Sequence, residues 1–181
     1  MLALIAGGLL TGGVLATRGG TAAPSDSAAA AYAAHQNADP RTPIQFSVAD
    51  LDGVRAAQPD MPARPTEVAP DVSAAGPELQ AAMAAHTVQY VTVRVFDTAA
   101  EDGDVVSLST DTGAKFGPFT LTNAGSTVSI PVVGGRVPQI TLQALKDGNG
   151  GITVGAQTSV NTWYSGILPE GGTQVVSTVS R

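Results

Sequence analysis

The sequence has no cysteine and few basic, aromatic or imidazole side chains. Without cysteine it forms no disulfide, no thiolate metal site and no thiol nucleophile. Lys and Arg together number 9 against 15 acidic residues, for a net charge of −6, so no basic surface is available to neutralise nucleic-acid phosphates. The composition therefore excludes a nucleic-acid-binding protein and a disulfide-stabilised scaffold.

The composition is uneven along the 181 residues. Residues 1–17 carry no charged side chain, and residues 18–86 hold eight of the 12 prolines, with 4 basic and 8 acidic side chains. Residues 87–181 hold most of the β-branched residues, with 5 basic and 7 acidic side chains. This division predicts an anchor, an Ala/Pro-rich tether and one folded domain.

The first segment has the composition of a short transmembrane helix. At 1.5 Å per residue, 17 residues rise about 25 Å, which is the short limit for crossing the hydrocarbon core. Gly8, Gly12 and Ala16 form a stripe of small residues that would let another membrane helix pack closely. The alternative is a secretory signal peptide cleaved after Ala16, although no basic residue precedes its apolar core.

The tether combines two short helices with a proline-rich spacer. The Ala-rich residues 28–38 predict the first helix, and prolines at every third position of residues 59–65 predict a polyproline II segment. That segment suits either a stiff spacer, which we favour, or a recognition strip for an aromatic groove. The second helix is predicted over 77–86, with Leu79, Met83 and the intervening alanines packed on the domain that follows.

From Thr87 the hydrophobic pattern changes to a period of two. In residues 88–97 one face carries Val91, Val93 and Val95, which predicts a strand with a valine core face. Six further strand-like runs are separated mostly by glycine-containing turns: 105–110, 116–123, 127–133, 137–145, 152–158 and 174–179. The sequence predicts a mainly β fold, a single antiparallel seven-stranded β-sandwich.

Several stretches of this domain resemble a recurrent bacterial module. They are Val93-Arg94-Val95-Phe96-Asp97, Glu101-Asp102-Gly103-Asp104-Val105-Val106-Ser107-Leu108, Phe119-Thr120-Leu121-Thr122-Asn123-Ala124 and Ala144-Leu145-Lys146-Asp147-Gly148. The pattern is similar to an immunoglobulin-like or C2-like β-sandwich at the C-terminus of secreted and envelope proteins. The resemblance covers residues 87–160 and implies a fold and a compartment rather than an activity.

The densest polar feature is a set of four carboxylates around one turn: Asp97, Glu101, Asp102 and Asp104. Like charges this close repel one another unless a cation lies among them, and an all-oxygen ligand set suits Ca²⁺ better than zinc. The alternative is a solvated acidic turn whose charges are screened by water. Apart from a structural Ca²⁺ ion in this cluster, the sequence predicts no cofactor.

Catalytic patterns are absent from the sequence. Ser107, Asp97 and His86 are residue types of a hydrolytic triad, but no G-x-S-x-G surrounds any serine, and no P-loop, dinucleotide fingerprint or HExxH occurs. Two of the acidic residues could form a glycosidase pair, although acidic turns are common without that role. We therefore expect the protein not to be an enzyme.

Trp163 and Tyr164 are the adjacent aromatic pair of the chain, and the pattern places them in or beside a loop. One hypothesis makes them a contact site for a partner or a membrane interface. The other makes them a plug that closes one end of a small sandwich.

Two functions fit these features. The first is an accessory subunit that stabilises a larger bacterial membrane complex (respiratory, photosynthetic or secretory), single-pass in the inner membrane with a periplasmic domain. Its partners would be the membrane and other membrane subunits, and not nucleic acid. Arg18 alone would keep that domain cytoplasmic, but the extracytoplasmic character of the domain outweighs one residue. The second function is a secreted or tethered module that binds a glycan or surface protein, with or without Ca²⁺.

Overall fold

A computed structural model describes residues 30, 33–39, 41–47 and 66–180. Within this part the fold is mainly β, and its two larger sheets are largely antiparallel. The predicted anchor with Gly8, Gly12 and Ala16 lies outside the described residues, as does the proline-rich segment of residues 59–65. None of the helices in the described part is long and apolar enough to cross a membrane.

Eleven strands and one helix longer than a turn are defined in the described part. They are β1 (Ile44–Phe46), β2 (Thr66–Val68), α1 (Pro77–Ala84), β3 (Gln89–Asp97), β4 (Val105–Thr110), β5 (Lys115–Thr120), β6 (Ser126–Val132), β7 (Ile140–Lys146), β8 (Val154–Gln157), β9 (Thr162–Tyr164), β10 (Thr173–Val176) and β11 (Thr178–Ser180). Each of the seven predicted runs overlaps a strand. The structure adds β1, β2 and β9, and it divides the last run into β10 and β11.

The strands form three sheets. One has four strands in the order β10-β7-β4-β5, one has five in the order β2-β6-β3-β8-β9, and the third pairs β1 with β11. The β1–β11 and β2–β6 pairs are parallel, and the other pairs are antiparallel. Both parallel pairs use strands from residues 18–86, so parts of the predicted tether pair with the sheets.

The buried faces of the two larger sheets supply one apolar core. The valine face predicted for β3 is confirmed, since Val91, Val93 and Val95 are all buried. From the four-stranded sheet, Leu108 and Leu142 join the same cluster. Burial of such side chains is worth about 25 cal/mol per Å² of apolar surface, so this shared core is the main stabilising element of the fold.

Helix α1 begins at Pro77, as the sequence predicts, because proline has no amide hydrogen to leave unpaired at a helix start and its φ suits the first turn. Leu79 is buried in the core, also as predicted. The prediction for Met83 is wrong, because its side chain is exposed, and Ala82 is the buried residue of that turn. His86 ends this region with a positive φ of 56°, a left-handed conformation typical of a helix C-terminus.

Candidate metal centre

The acidic residues meet where the chain crosses from one large sheet to the other. Asp97 is the last residue of β3 in the five-stranded sheet, and Asp104 immediately precedes β4 in the four-stranded sheet. Asp102 lies in the loop that joins them. One carboxylate oxygen from each of these three residues lies within 4.8 Å of the other two.

Asp97 is buried with half of its carboxylate unpaired. The residue is 2% exposed, and its Oδ1 atom accepts a hydrogen bond of 2.8 Å from the Ala99 amide. Its Oδ2 atom is buried and has no hydrogen-bond partner among the residues that the structure describes. Burial raises the pKa of Asp97, and the nearby charges of Asp102 and Glu101 raise it further, against the opposing effect of the Ala99 amide. An unpaired buried oxygen of this kind costs free energy unless something positive contacts it.

Asp104 is also 2% exposed and is held by the loop between β7 and β8. Its Oδ1 atom accepts a hydrogen bond of 2.9 Å from the Gly148 amide. Burial raises the pKa of Asp104 to about 6, and the Asp102 and Asp97 charges contribute in the same direction. Gly148 packs so closely on the loop that a Cβ atom there would overlap the Asp102 carbonyl group. The two loops therefore fit together only because residue 148 is glycine.

Two further carboxylates of the same two loops are engaged elsewhere. Glu101, one of the four residues predicted to form the site, accepts a hydrogen bond of 2.5 Å from the Asn123 amide through Oε1. It is not among the three converging carboxylates. Asp147 accepts from the Gly151 amide through both carboxylate oxygens, at 3.2 and 3.1 Å, and so closes its own turn. The structure thus brings together Asp97, Asp102 and Asp104.

This arrangement suits a hard cation. Three carboxylates converge with one oxygen each at the junction of two loops. Ca²⁺ takes six to eight oxygen ligands at roughly 2.3–2.6 Å, so water would complete the shell. No histidine or cysteine belongs to the group, which disfavours zinc and softer metals. Among the described residues the one ion pair joins Arg136 to Asp111, at the far end of β4. No described basic side chain is therefore paired with the three carboxylates.

A histidine that the sequence did not single out lies beside this centre. His35 is 2% exposed, in a helical turn over residues 33–36. Its Nδ1–H donates to the Ser165 carbonyl oxygen at 2.7 Å, so its Nε2 accepts from the hydroxyl of Thr98. The edge of its ring meets Tyr164, with centroids 5.4 Å apart and planes at 84°. Burial lowers the pKa of His35, against the Ser165 hydrogen bond.

Trp163 and Tyr164 lie in the short strand β9, directly beside the loop that follows Tyr164, which agrees with a predicted place in or beside a loop. Trp163 pairs with Ala156 of β8, is 3% exposed and belongs to the apolar core. A partner could therefore reach the Trp163 ring only if β9 detached from its sheet. Tyr164 is half-buried and contacts His35, so the pair joins the N-terminal segment to the sheet.

No protein-family model, curated protein or solved structure matches this chain. The residues themselves therefore carry the functional argument.

Proposed function

We propose that the chain is a non-catalytic binding module, a β-sandwich whose acidic end holds a Ca²⁺ ion and which is tethered at the bacterial envelope. The observation that carries this proposal is the buried Oδ2 atom of Asp97, which has no hydrogen-bond partner in the described part of the chain although two further carboxylates lie close to Asp97. A bound cation would supply that partner and offset the repulsion among Asp97, Asp102 and Asp104.

The proposal includes an immunoglobulin-like or C2-like arrangement of the core strands. Two facing sheets that share one core support it, as do antiparallel pairs such as β3–β6 and β4–β7. In such a domain the loops at one end form a common surface. The loops over 98–104 and 147–151 already contact each other through Asp104 and Gly148.

The cation would have a structural role in recognition. It would fix the exposed Asp102 to two buried carboxylates and so hold the 98–104 loop in one conformation. A loop that is ordered before binding loses less conformational entropy when a partner docks. We expect the partner, a glycan or a surface protein, to contact this end of the domain.

Calorimetric titration of the purified, metal-free, full-length protein with CaCl₂ tests the site. We expect saturable binding of one ion per chain and a rise in the thermal unfolding midpoint. The matched control is Glu78→Gln, which also removes one negative charge but lies away from the acidic cluster. Glu78 is in the first turn of α1, and the residue before this helix, Gly76, donates to Thr112 at the opposite end of β4 from Asp104. Asp102→Asn should weaken binding, and Glu78→Gln should not. The absence of both heat and a midpoint shift in the wild-type protein would remove the site.

A second candidate function is supported by the short reach of the tether. His35 and β1 contact the domain, so at most residues 18–32 separate the predicted anchor from the first contact. Fifteen residues span at most about 50 Å when fully extended. A domain held so close to the bilayer suits an accessory subunit of a larger bacterial membrane complex.

Extraction in mild detergent distinguishes the two candidates. Intact mass of the native protein would show whether residues 1–16 are retained, which the subunit hypothesis requires. Stoichiometric co-purification with membrane subunits would support that hypothesis. Recovery of a lone monomer with an intact N-terminus would contradict it and leave the tethered binding module.

A further inference from the structure

The cation site and the docked N-terminal segment share one continuous set of contacts. Asp97 pairs with Val154 across β3 and β8, and Val154 donates its amide hydrogen to the Ser165 hydroxyl at 3.0 Å. The Ser165 carbonyl accepts from His35, and His35 contacts Thr98. Thr98 directly follows Asp97 in the chain. The contacts therefore form a closed ring that begins and ends at Asp97, the candidate ligand with the unpaired buried oxygen.

We propose that His35 and Thr98 are positioning residues for the cation site, so that docking of residues 33–39 and cation binding strengthen each other. This inference rests on the proposed Ca²⁺ site. It assigns a regulatory role to the N-terminal segment, because a change in that segment would alter the affinity of a site more than 60 residues away in sequence.

The physical connection runs through the backbone between residues 97 and 99. The Asp97 carboxylate is oriented by the Ala99 amide, so its direction depends on the conformation of Thr98. His35 holds the Thr98 side chain from one side and is itself fixed by Ser165 and Tyr164. If His35 is removed, Thr98 loses this hold and the Ala99 amide is free to shift. The carboxylate then adopts several orientations, and the cation must select among them.

Reciprocity follows from thermodynamic linkage. If docking of residues 33–39 raises the affinity for Ca²⁺ by a given factor, then Ca²⁺ must favour docking by the same factor. The metal-free state opposes docking for a clear reason, since repulsion among the three carboxylates strains the loop that carries Thr98. Cation binding relieves that repulsion, and the docked segment becomes harder to release.

The main experiment compares Ca²⁺ affinities of full-length variants by calorimetric titration. We expect His35→Ala and Thr98→Val each to weaken Ca²⁺ binding by roughly 5- to 20-fold, within the usual range of coupling between sites. Thr98→Ser keeps the hydroxyl that contacts His35 and should stay within about twofold of the wild type. If His35→Ala fails to fold, the comparison of Thr98→Val with Thr98→Ser still tests the proposal.

Asn161→Ala is the matched control for simple loosening of the N-terminal segment. Asn161 accepts from the Gln45 amide at 3.0 Å and donates to the Pro43 carbonyl at 3.2 Å, so this variant weakens the hold on β1 without contact to the ring. It should lower the unfolding midpoint and leave Ca²⁺ affinity within about twofold. Equal losses of Ca²⁺ affinity in Asn161→Ala and His35→Ala would overturn the proposal, because they would indicate a general loss of stability.

Hydrogen exchange provides the reciprocal measurement. The amides of residues 33–39 should exchange several-fold more slowly with saturating Ca²⁺ than without it, and this difference should vanish in Thr98→Val. If the wild type binds Ca²⁺ but its amide exchange does not change, and the variants keep the wild-type affinity, the positioning role is refuted and the site remains. A wild-type protein that binds no Ca²⁺ would refute the site itself.

Discussion

Replacement of Asp97 by asparagine should have opposite effects on the metal-free and Ca²⁺-bound forms. The substitution keeps the shape of the side chain and the oxygen that accepts from Ala99, but it removes the negative charge. The buried Oδ2 atom becomes an uncharged amide nitrogen, so the repulsion of Asp97 with the Asp102 and Asp104 carboxylates is removed. We expect the metal-free protein to become more stable and Ca²⁺ binding to become much weaker.

The magnitude follows from the geometry of the cluster. Two unit charges 4.8 Å apart, at an effective dielectric constant of about 20, repel by ~3.5 kcal/mol. Only the Asp97–Asp104 pair is fully buried, and solvent reduces the repulsion from the exposed Asp102. A stabilisation of the metal-free protein by about 2 kcal/mol at pH 7.5 is therefore expected, which corresponds to a rise in the unfolding midpoint of about 5 °C.

The assay is thermal unfolding of wild-type and Asp97→Asn proteins, each with chelator and with excess CaCl₂. The wild-type midpoint should rise with Ca²⁺, and the variant midpoint should start higher and barely move. Affinity for Ca²⁺ should fall at least tenfold, or about 1.4 kcal/mol. A metal-free Asp97→Asn protein less stable than the wild type would refute the reasoning, because it would mean that the carboxylate already has a favourable partner.

Three further predictions concern Asp104, Gly148 and Trp163. The folded-state pKa of Asp104 is about 6, above its unfolded value, so the metal-free protein should lose about 1–2 kcal/mol of unfolding free energy as pH rises from about 4 to 6. Urea titrations should show a smaller loss in Asp104→Asn than in the wild type, because the raised pKa of Asp97 still contributes in the variant. Gly148→Ala should lower the unfolding free energy by about 1–3 kcal/mol in the same assay and weaken Ca²⁺ binding, because the new Cβ atom overlaps the Asp102 carbonyl. A Cβ atom at residue 166 has no neighbour within contact distance, so the control Gly166→Ala should leave stability unchanged. Trp163→Ala should lower the unfolding free energy, measured by chemical denaturation, by about 3–5 kcal/mol. Trp163→Phe should lower it much less, because it keeps a large apolar ring and removes a buried N–H group that has no partner among the described residues.

The regular strands could be predicted from sequence because their signal is local. Alternation of valine with polar residues in β3 identified both the strand and its buried face. The short strand β1 gave no such signal, because three residues cannot establish a period. Its existence depends on pairing with β11, far away in sequence. For the same reason the sequence did not show that the run over 174–179 divides into two strands. The first, β10, pairs with β7, and the second, β11, pairs with β1.

The acidic cluster could be predicted in part for a similar reason. Asp97, Asp102 and Asp104 lie within eight residues, so a turn there can bring their carboxylates together. The direction in which Glu101 points depends on the Asn123 amide of a later loop, which spacing does not reveal. His35 was beyond sequence reasoning altogether, since its partners lie 63 and 130 residues away. Long-range hydrogen bonds leave no local pattern.

The pairing of β1 with β11 has a mechanical consequence for a tethered protein. A pull transmitted from the predicted anchor would reach His35 first and then β1, before any strand of the two large sheets. The contacts of His35 are hydrogen bonds and one ring contact, whereas Ile44 and Phe46 of β1 are buried in the shared core. Tension would therefore release the segment around His35 first and lengthen the free chain. Removal of β1 would expose two core side chains, so β1 would act as the point at which the force reaches the core.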